Sequence, residues 1–344
     1  MAGAESDAGA DRDRKAEHLE LARDEAVQEK RRYFDDYRLE HRAMPEIDLA
    51  SVEPGVTFLG HELSAPLLIS CMTGGTGEAL RINRDLARAA EQSGVALGLG
   101  SQRKALEDPE QEASFQVRAL APSVPLLANL GAVQLNYGYG VEECRAAVDM
   151  VDADALVFHL NPLQEAIQPE GDTNFEALLP KMADVAQRVD VPVIVKEIGC
   201  GISAREGRAL ADAGIGTVDV AGHGGTSWAR IEARRASDVP LGEVFGDWGI
   251  PTPAAIEGLS RVDGLTVIGS GGLRTGVDMA KAIAIGADLT AMAKPFLEAA
   301  GDGPERVVEA IERRIRELKI AMFCTGSGTI EELAEARLWR SRGR

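Results

Sequence analysis

The chain has 344 residues, 45% of them apolar and 4% aromatic, with 37 glycines. That is enough apolar material for a large core, and its small and aliphatic residues suit a tightly wound α/β fold. A formal net charge of -18 argues against nucleic acid and against anionic membrane surfaces, both of which would repel the chain.

An anionic small substrate remains admissible where a local basic patch receives it. The cysteines Cys71, Cys144, Cys200 and Cys324 form no C-x-x-C pair and no zinc or disulfide spacing. Reduced thiols in a cytoplasmic protein are expected. Cys71 reads as a small core residue or as part of a pocket wall. The sequence holds no run of eighteen apolar residues, and its charged start lacks the apolar core of a signal peptide.

Residues 1–12 read as a disordered tail. From Asp13 to Val27, Leu19, Ala22 and Ala26 make an apolar stripe at helical spacing. This helix opens an N-terminal extension over 13–60. Arg14 and His18 stand one turn apart on it, with Lys15 beside them. On pattern alone they are a solvated face.

Eight short apolar runs follow: Leu67–Ile69, Val95–Leu99, Leu126–Leu130, Ala155–Phe158, Val193–Lys196, Thr217–Val220, Thr266–Gly269 and Leu289–Ala293. Helical patterns come after most of them, at Ala79–Gln92, Val141–Met150, Phe175–Arg188, Ser203–Ala213, Gly276–Ile285 and Pro304–Leu318. Strand then helix, repeated eight times over about 250 residues, is the signature of a (β/α)8 TIM barrel. We set it at residues 61–320, with a C-terminal helical tail over 321–344. An open doubly wound sheet is the alternative, with a glycine-rich turn after its first strand and one binding crevice. Polar clusters here follow nearly every strand, as at a barrel mouth. Residues 224–263, after strand six, are too long for an ordinary connection and read as a lid or an oligomer contact.

The polar stretch after strand four is the densest. His159, Asn161, Gln164, Glu165, Gln168 and Glu170 arrive within twelve residues. His159 and Asn161 share a face on an extended strand. Pro162 is expected to stop the strand, with Gln164 and Glu165 opening the loop beyond. Such a set suits metal or oxyanion work; the plain alternative is a polar loop with a capping carboxylate.

Strand one ends in Met72-Thr73-Gly74-Gly75, where glycines let backbone N–H groups approach a ligand. Gly98, Gly100, Ser101 and Arg103 follow strand two, Asn129 and Gln134 strand three, and Lys196 and Glu197 strand five. After strand seven, Ser270-Gly271-Gly272-Leu273-Arg274 runs into a helix, and strand eight ends Met292-Ala293-Lys294. Barrels bind phosphate at these two places; glycine for tight turns alone is the alternative. A phosphate there and a buried Lys196 opposite would suit flavin mononucleotide (FMN), with a lysine near N1 of the ring. Lys196 could instead be paired with Glu197.

Taken in order, these motifs make the chain resemble the FMN-dependent type 2 isopentenyl-diphosphate isomerase family, from about Arg14 to Leu318. The resemblance is carried by Arg14-Lys15-Ala-Glu-His18, Met72-Thr73-Gly74-Gly75-Thr76, Ser101-Gln102-Arg103, Asn129 to Gln134, His159 to Asp172, Lys196-Glu197, Gly224 to Trp228, and Asp247-Trp248-Gly249. It implies that Met72, Thr73, Gly74, Ser101, Asn129, Lys196, Thr226, Gly271, Gly272, Arg274, Ala293 and Lys294 surround FMN. Arg14, Lys15, Arg103, His159, Asn161 and Ser203 would meet the substrate diphosphate. Gln164 would lie by the reacting carbons, with His159 and Asn161 beside it in the catalytic set, and Glu165 would bind Mg2+. The implied reaction converts isopentenyl diphosphate to dimethylallyl diphosphate. Reduced FMN serves as acid and base, and NADPH or NADH reduces it. A cytoplasmic homo-oligomer, a tetramer or octamer, is implied too.

The rival is an FMN-dependent 2-hydroxy-acid oxidase, since His223-Gly224-Gly225 is similar to that family's His-Gly-Gly-Arg. Thr226 stands where the arginine would clamp a carboxylate. His223 is read either as a solvent-facing loop histidine or as a group near the flavin. A barrel that binds flavin without turnover is the third reading.

Overall fold

The computed structural model describes residues 17–72, 74 and 77–340. Eight parallel strands close on themselves: β1 (Leu67–Ile69), β2 (Ala96–Gly98), β3 (Leu126–Gly131), β4 (Ala155–Leu160), β5 (Val193–Glu197), β6 (Thr217–Asp219), β7 (Thr266–Ser270) and β8 (Leu289–Met292). Each pairs with the next, and β8 returns to β1 with Ala291 opposite Leu68. All eight apolar runs are therefore strands of one barrel, not of an open sheet. Aliphatic runs form them because helices cover the outside and side chains fill the inside.

Alternation along each strand sorts the two faces. Leu68, Ala96, Leu127, Ala155, Val157, Ile194, Ile268 and Leu289 fill the barrel as one cluster. Their neighbours Leu126, Leu156, Phe158, Val193, Val195 and Val267 belong to the larger cluster shared with the helices. The same period carries Asn129, His159, Lys196, Asp219 and Ser270 to the inner face above the apolar layers. Register sets His159 opposite Lys196, and Lys196 opposite Asp219. Below, the hairpin of Val56–Phe58 and His61–Leu63 plugs the barrel by adding Phe58 and Leu63 to the inner cluster.

The helices include α1 (Gly77–Ser93), α2 (Val141–Val151), α3 (Pro162–Ile167), α4 (Leu178–Arg188) and α5 (Ala204–Asp212). Helix α3 corrects the expected loop. Pro162 is its first residue, where a missing N–H and a fixed φ do no harm. Gln164 and Glu165 thus sit on a helix, not a loop. Residues 224–263 are ordered as α6 (Trp228–Arg235), α7 (Val239–Val244) and α8 (Thr252–Leu259). Ala229 and Ala233 of α6 pack on Ile167 of α3, with Leu163, Leu241 and Phe245 around them. The insertion is thereby fastened beside the polar stretch after β4. Helix α9 (Gly276–Ile285) follows β7, α10 (Lys294–Ala299) follows β8, and α11 (Pro304–Thr325) closes the ring.

Residues 17–23 are helical, ahead of a 3-10 turn at Glu25–Val27 capped by Asp24; the first part of the expected helix lies outside the described residues. In the expected helical tail, α11 runs to Thr325 and Ile330–Ala334 is helical, while Leu338–Arg340 is a strand. It pairs with Tyr37–Leu39, so a tertiary partner overrides local pattern.

Phe58 is 6% exposed. Phe58→Ala is expected to cost about 3 kcal/mol, read as a lower melting temperature. A variant that melts with its parent would show that the hairpin does not plug the barrel.

Candidate active site

A cavity of about 560 Å³ opens at the carboxyl ends of the strands, within the range of cofactor and substrate sites. Its floor is the polar inner layer. Asn129 Oδ1 and His159 Nδ1 lie 2.8 Å apart, so the imidazole's Nδ1 donates and Nε2 is left towards the cavity. Burial, with Lys196 and Arg103 nearby, pulls His159 down to about 4. It is neutral near pH 7. Cys71 also lines the cavity; burial pushes its thiol up to about 11, so it is not a thiolate nucleophile.

Lys196 is 5% exposed. Its Nζ donates to the Glu197 carbonyl at 2.6 Å and lies 3.5 Å from Asp219 Oδ2. The alternative of a buried lysine paired with a neighbouring acid holds, with Asp219 in place of the Glu197 carboxylate. Glu197 Oε2 instead accepts the N–H groups of Ile198, Gly199, Cys200 and Gly201. That carboxylate shapes the loop on whose wall Ile198 and Gly199 lie.

On the next wall, α3 begins. Asn161 Nδ2 donates to Gln164 Oε1 at 3.0 Å and to Glu165 Oε1 at 2.8 Å. Glu165 Oε2 accepts from Gln168 Nε2 and from the Asp172 N–H, both at 2.7 Å. Burial raises the Glu165 pKa. Three donors occupy three of its four lone-pair positions, which leaves Oε1 with one free. Gln164 Nε2 donates to Glu232 Oε1 at 2.7 Å.

Glu232 is the site residue that sequence reading missed. It is fully buried and takes His18 Nε2 at 2.8 Å and Arg235 at 2.6 Å. Burial alone would raise its pKa; hydrogen bonds from His18, Gln164 and Arg235 outweigh that and hold it at about 2. Arg235 further binds Glu17 at 3.0 Å and Glu170 at 2.9 Å. One cluster thus joins the N-terminal helix, α3 and α6. His18 also meets Trp228, one turn before Glu232 on α6, edge-on at 5.2 Å.

Opposite lies the glycine turn after β7. Gly271 and Gly272 have φ of +99° and +77°, which side chains rarely adopt. A Cβ on either would collide with the backbone of Gly222 or Gly224. Ala293, Lys294 and Arg274 line the same end. The segment 25–29 crosses here: Lys294 meets Glu25 at 2.6 Å, Arg274 donates to the Glu29 carbonyl at 2.7 Å, and Thr226 donates to Gln28 Oε1 at 3.1 Å.

Met72, Gly74, Ser101, Asn129, Lys196, Thr226, Gly271, Gly272, Arg274, Ala293 and Lys294 all line this cavity, as do Arg103, His159, Asn161, Gln164 and Glu165. Thr73, Arg14 and Lys15 lie outside the described residues. Ser203 is not brought to the site. It caps α5, exchanging hydrogen bonds with Glu206, and its hydroxyl is committed there. His223 is 4% exposed, which corrects the solvent-facing reading. Its Nε2 lies 3.3 Å from Glu29 and its ring packs on Tyr33, off the cavity wall.

The family model described as FMN-dependent dehydrogenase matches residues 18–122 and 161–340. An isopentenyl-diphosphate delta-isomerase from Paracoccus zeaxanthinifaciens is 51% identical over 94% of this chain and 95% of its own. The one from Synechocystis sp. is 47% identical, covering 95% of each. The chain belongs to the FMN-dependent isopentenyl-diphosphate delta-isomerase family. Solved structures share the fold at greater distance. The lactate oxidase of Pediococcus acidilactici, described as putative, is 19% identical with a TM-score of 0.67, over 90% of this chain and 85% of that one. A mandelate oxidase is 20% identical with a TM-score of 0.66, over 94% of this chain and 90% of that one.

The neutral His159 has a signed consequence. Its folded pKa lies below the unfolded value near 6.5, so the group's contribution to stability is complete above about pH 6.5. That contribution falls as the pH drops towards about 4. Its ring nitrogens should keep neutral 15N shifts at pH 5.5; protonation centred near 6.5 would overturn the assignment.

Proposed function

We propose that this chain converts isopentenyl diphosphate to dimethylallyl diphosphate, with FMN, Mg2+ and a nicotinamide reductant. The observation that carries the reading is one cavity holding two dissimilar ends. The glycine turn with Arg274 and Lys294 suits a phosphate, and the His159, Asn161, Gln164 and Glu165 set sits at the end of β4.

The residues fit FMN. Backbone at Gly271 and Gly272 is bare of side chains where the phosphate would lie, and Lys196 is a buried cation on the floor for the ring. Thr73 joins this set by family resemblance. Magnesium fits as well: Glu165 has a lone pair to give, and this ion habitually takes few carboxylates beside phosphate oxygens and water. The reduced flavin supplies the acid and base that shift the double bond.

The protein's own groups do the rest. Gln164 is held from both ends, by Asn161 and by Glu232, so its amide is fixed beside the substrate carbons. Arg103 faces the diphosphate, with Arg14 and Lys15 from the N-terminus, and His159 joins them once the diphosphate's charge favours a proton on Nε2. Trp228 and the N-terminal helix exclude water above Gln164. We place the enzyme in the cytoplasm as a homo-oligomer, a tetramer or octamer, with NADPH as reductant. No helix among the described residues is long and apolar enough to cross a membrane.

The oxidase reading needs a carboxylate clamp at residue 226. Thr226 is there instead, and its hydroxyl is bonded to Gln28.

Incubation with FMN, NADPH, Mg2+ and isopentenyl diphosphate should give dimethylallyl diphosphate by NMR; lactate oxidation without isomerisation would favour the rival. Gln164→Asn is expected to slow turnover about 100-fold, the scale of an ångström of misplacement, with FMN still bound. Full activity would remove Gln164 from the mechanism. Glu165→Gln should raise the magnesium requirement at least about tenfold; an unchanged requirement would sink the metal assignment.

A further inference from the structure

Asp219 is 3% exposed and ends β6 directly beside Lys196. It does not line the cavity; it lies beneath the floor. Its Oδ2 is 3.5 Å from the lysine Nζ, and its Oδ1 accepts from Ser270 Oγ and, at 3.3 Å, from the Ala221 N–H. Ser270 in turn precedes the Gly271-Gly272 turn, and its Oγ accepts the Ala221 N–H at 2.9 Å. A single carboxylate therefore joins the cation on the cavity floor to the residue that precedes the glycine turn.

His159 is neutral and Cys71 keeps its proton, while the Glu197 carboxylate is turned to backbone N–H groups. The side-chain ion pair in this layer is Lys196 with Asp219. In a poorly solvated site a carboxylate at this distance cancels much of the lysine's field.

We propose that Asp219 is a positioning residue that tunes the bound flavin: it fixes the Lys196 ammonium and offsets its charge beneath the ring. The inference rests on the FMN reading. A bare lysine under the ring would favour the reduced, negatively charged cofactor over the oxidised one. It would thereby weaken the ring's hold on the proton that the chemistry needs. Asp219 keeps that preference moderate.

The test compares Kd for oxidised and for chemically reduced FMN, measured anaerobically on the full chain. Asp219→Asn keeps the size and a hydrogen-bonding oxygen but removes the charge. It should lower the ratio of reduced to oxidised Kd about tenfold, which is about 30 mV for a two-electron couple. Asp219→Glu retains the charge and should stay within about twofold of the parent, which a packing role alone would not predict. Read against Lys196→Met alone, adding Asp219→Asn should shift the ratio less than it does in the parent. If Asp219→Asn fails to fold, Asp219→Ser, smaller and neutral, is read in the same way. An unchanged ratio in the neutral variant, with FMN bound, overturns the role of Asp219 and leaves the FMN reading standing. A parent that binds FMN in neither state sinks the FMN reading, and this inference with it.

Discussion

The alternation of side chains along eight parallel strands governs where polar groups go in this protein. A closed barrel has no edge, so every inward position is either packed or at the mouth. Leu127, Val157, Ile194 and Ile268 fill the lower interior. Two residues further along each strand stand Asn129, His159, Lys196 and Ser270. These cannot be buried deeper without losing partners, and they cannot turn outward without meeting the helices. The floor of the cavity is thus a by-product of a period of two and a finite strand length. Slipping any strand by one residue would send its polar group into the apolar layer outside.

Buried charge imposes the second constraint. Asp219, Glu165, Glu197 and Glu232 are all less than a tenth exposed, and an unpaired carboxylate there would cost several kcal/mol. Each is answered differently. Glu197 takes backbone N–H groups, Glu232 takes three side chains, and Asp219 takes a lysine and a serine. Glu165 is left one lone pair short of full use. The four acids separate by environment into three that organise the walls and one with capacity for a cation.

The strands were legible because aliphatic runs bounded by polar clusters have few other uses. Most cavity residues were legible too, since they sit within two or three positions of a strand's end. Two features were hidden. Helix α3 was hidden by Pro162, which breaks a strand and opens a helix with equal ease. Glu232 was hidden because its partners His18 and Gln164 are 214 and 68 residues away in sequence; no local pattern announces that meeting. Asp219 stood in plain view as an acid inside the run Thr217–Val220, where a charge between two valines marks a strand's polar face. Ser203, three residues before Glu206, caps α5, a role its spacing alone allows.

The shared fold with oxidases at 19–20% identity places the decisive chemistry in very few positions. Fold alone does not carry function. Strand geometry supplies a cavity with a glycine turn at β7 and a cation at β5, and that much is compatible with any flavin chemistry. Choice enters through side chains added at the strand ends. A guanidinium at 226 would gather a carboxylate substrate; a threonine bonded to Gln28 does not. An amide at 164, braced by Glu232 and Asn161, neither donates protons as an acid nor accepts them as a base near neutral pH. In the proposed reaction its use is to hold the olefin still. The proposed reaction answers that limit by drawing its acid and base from the bound cofactor.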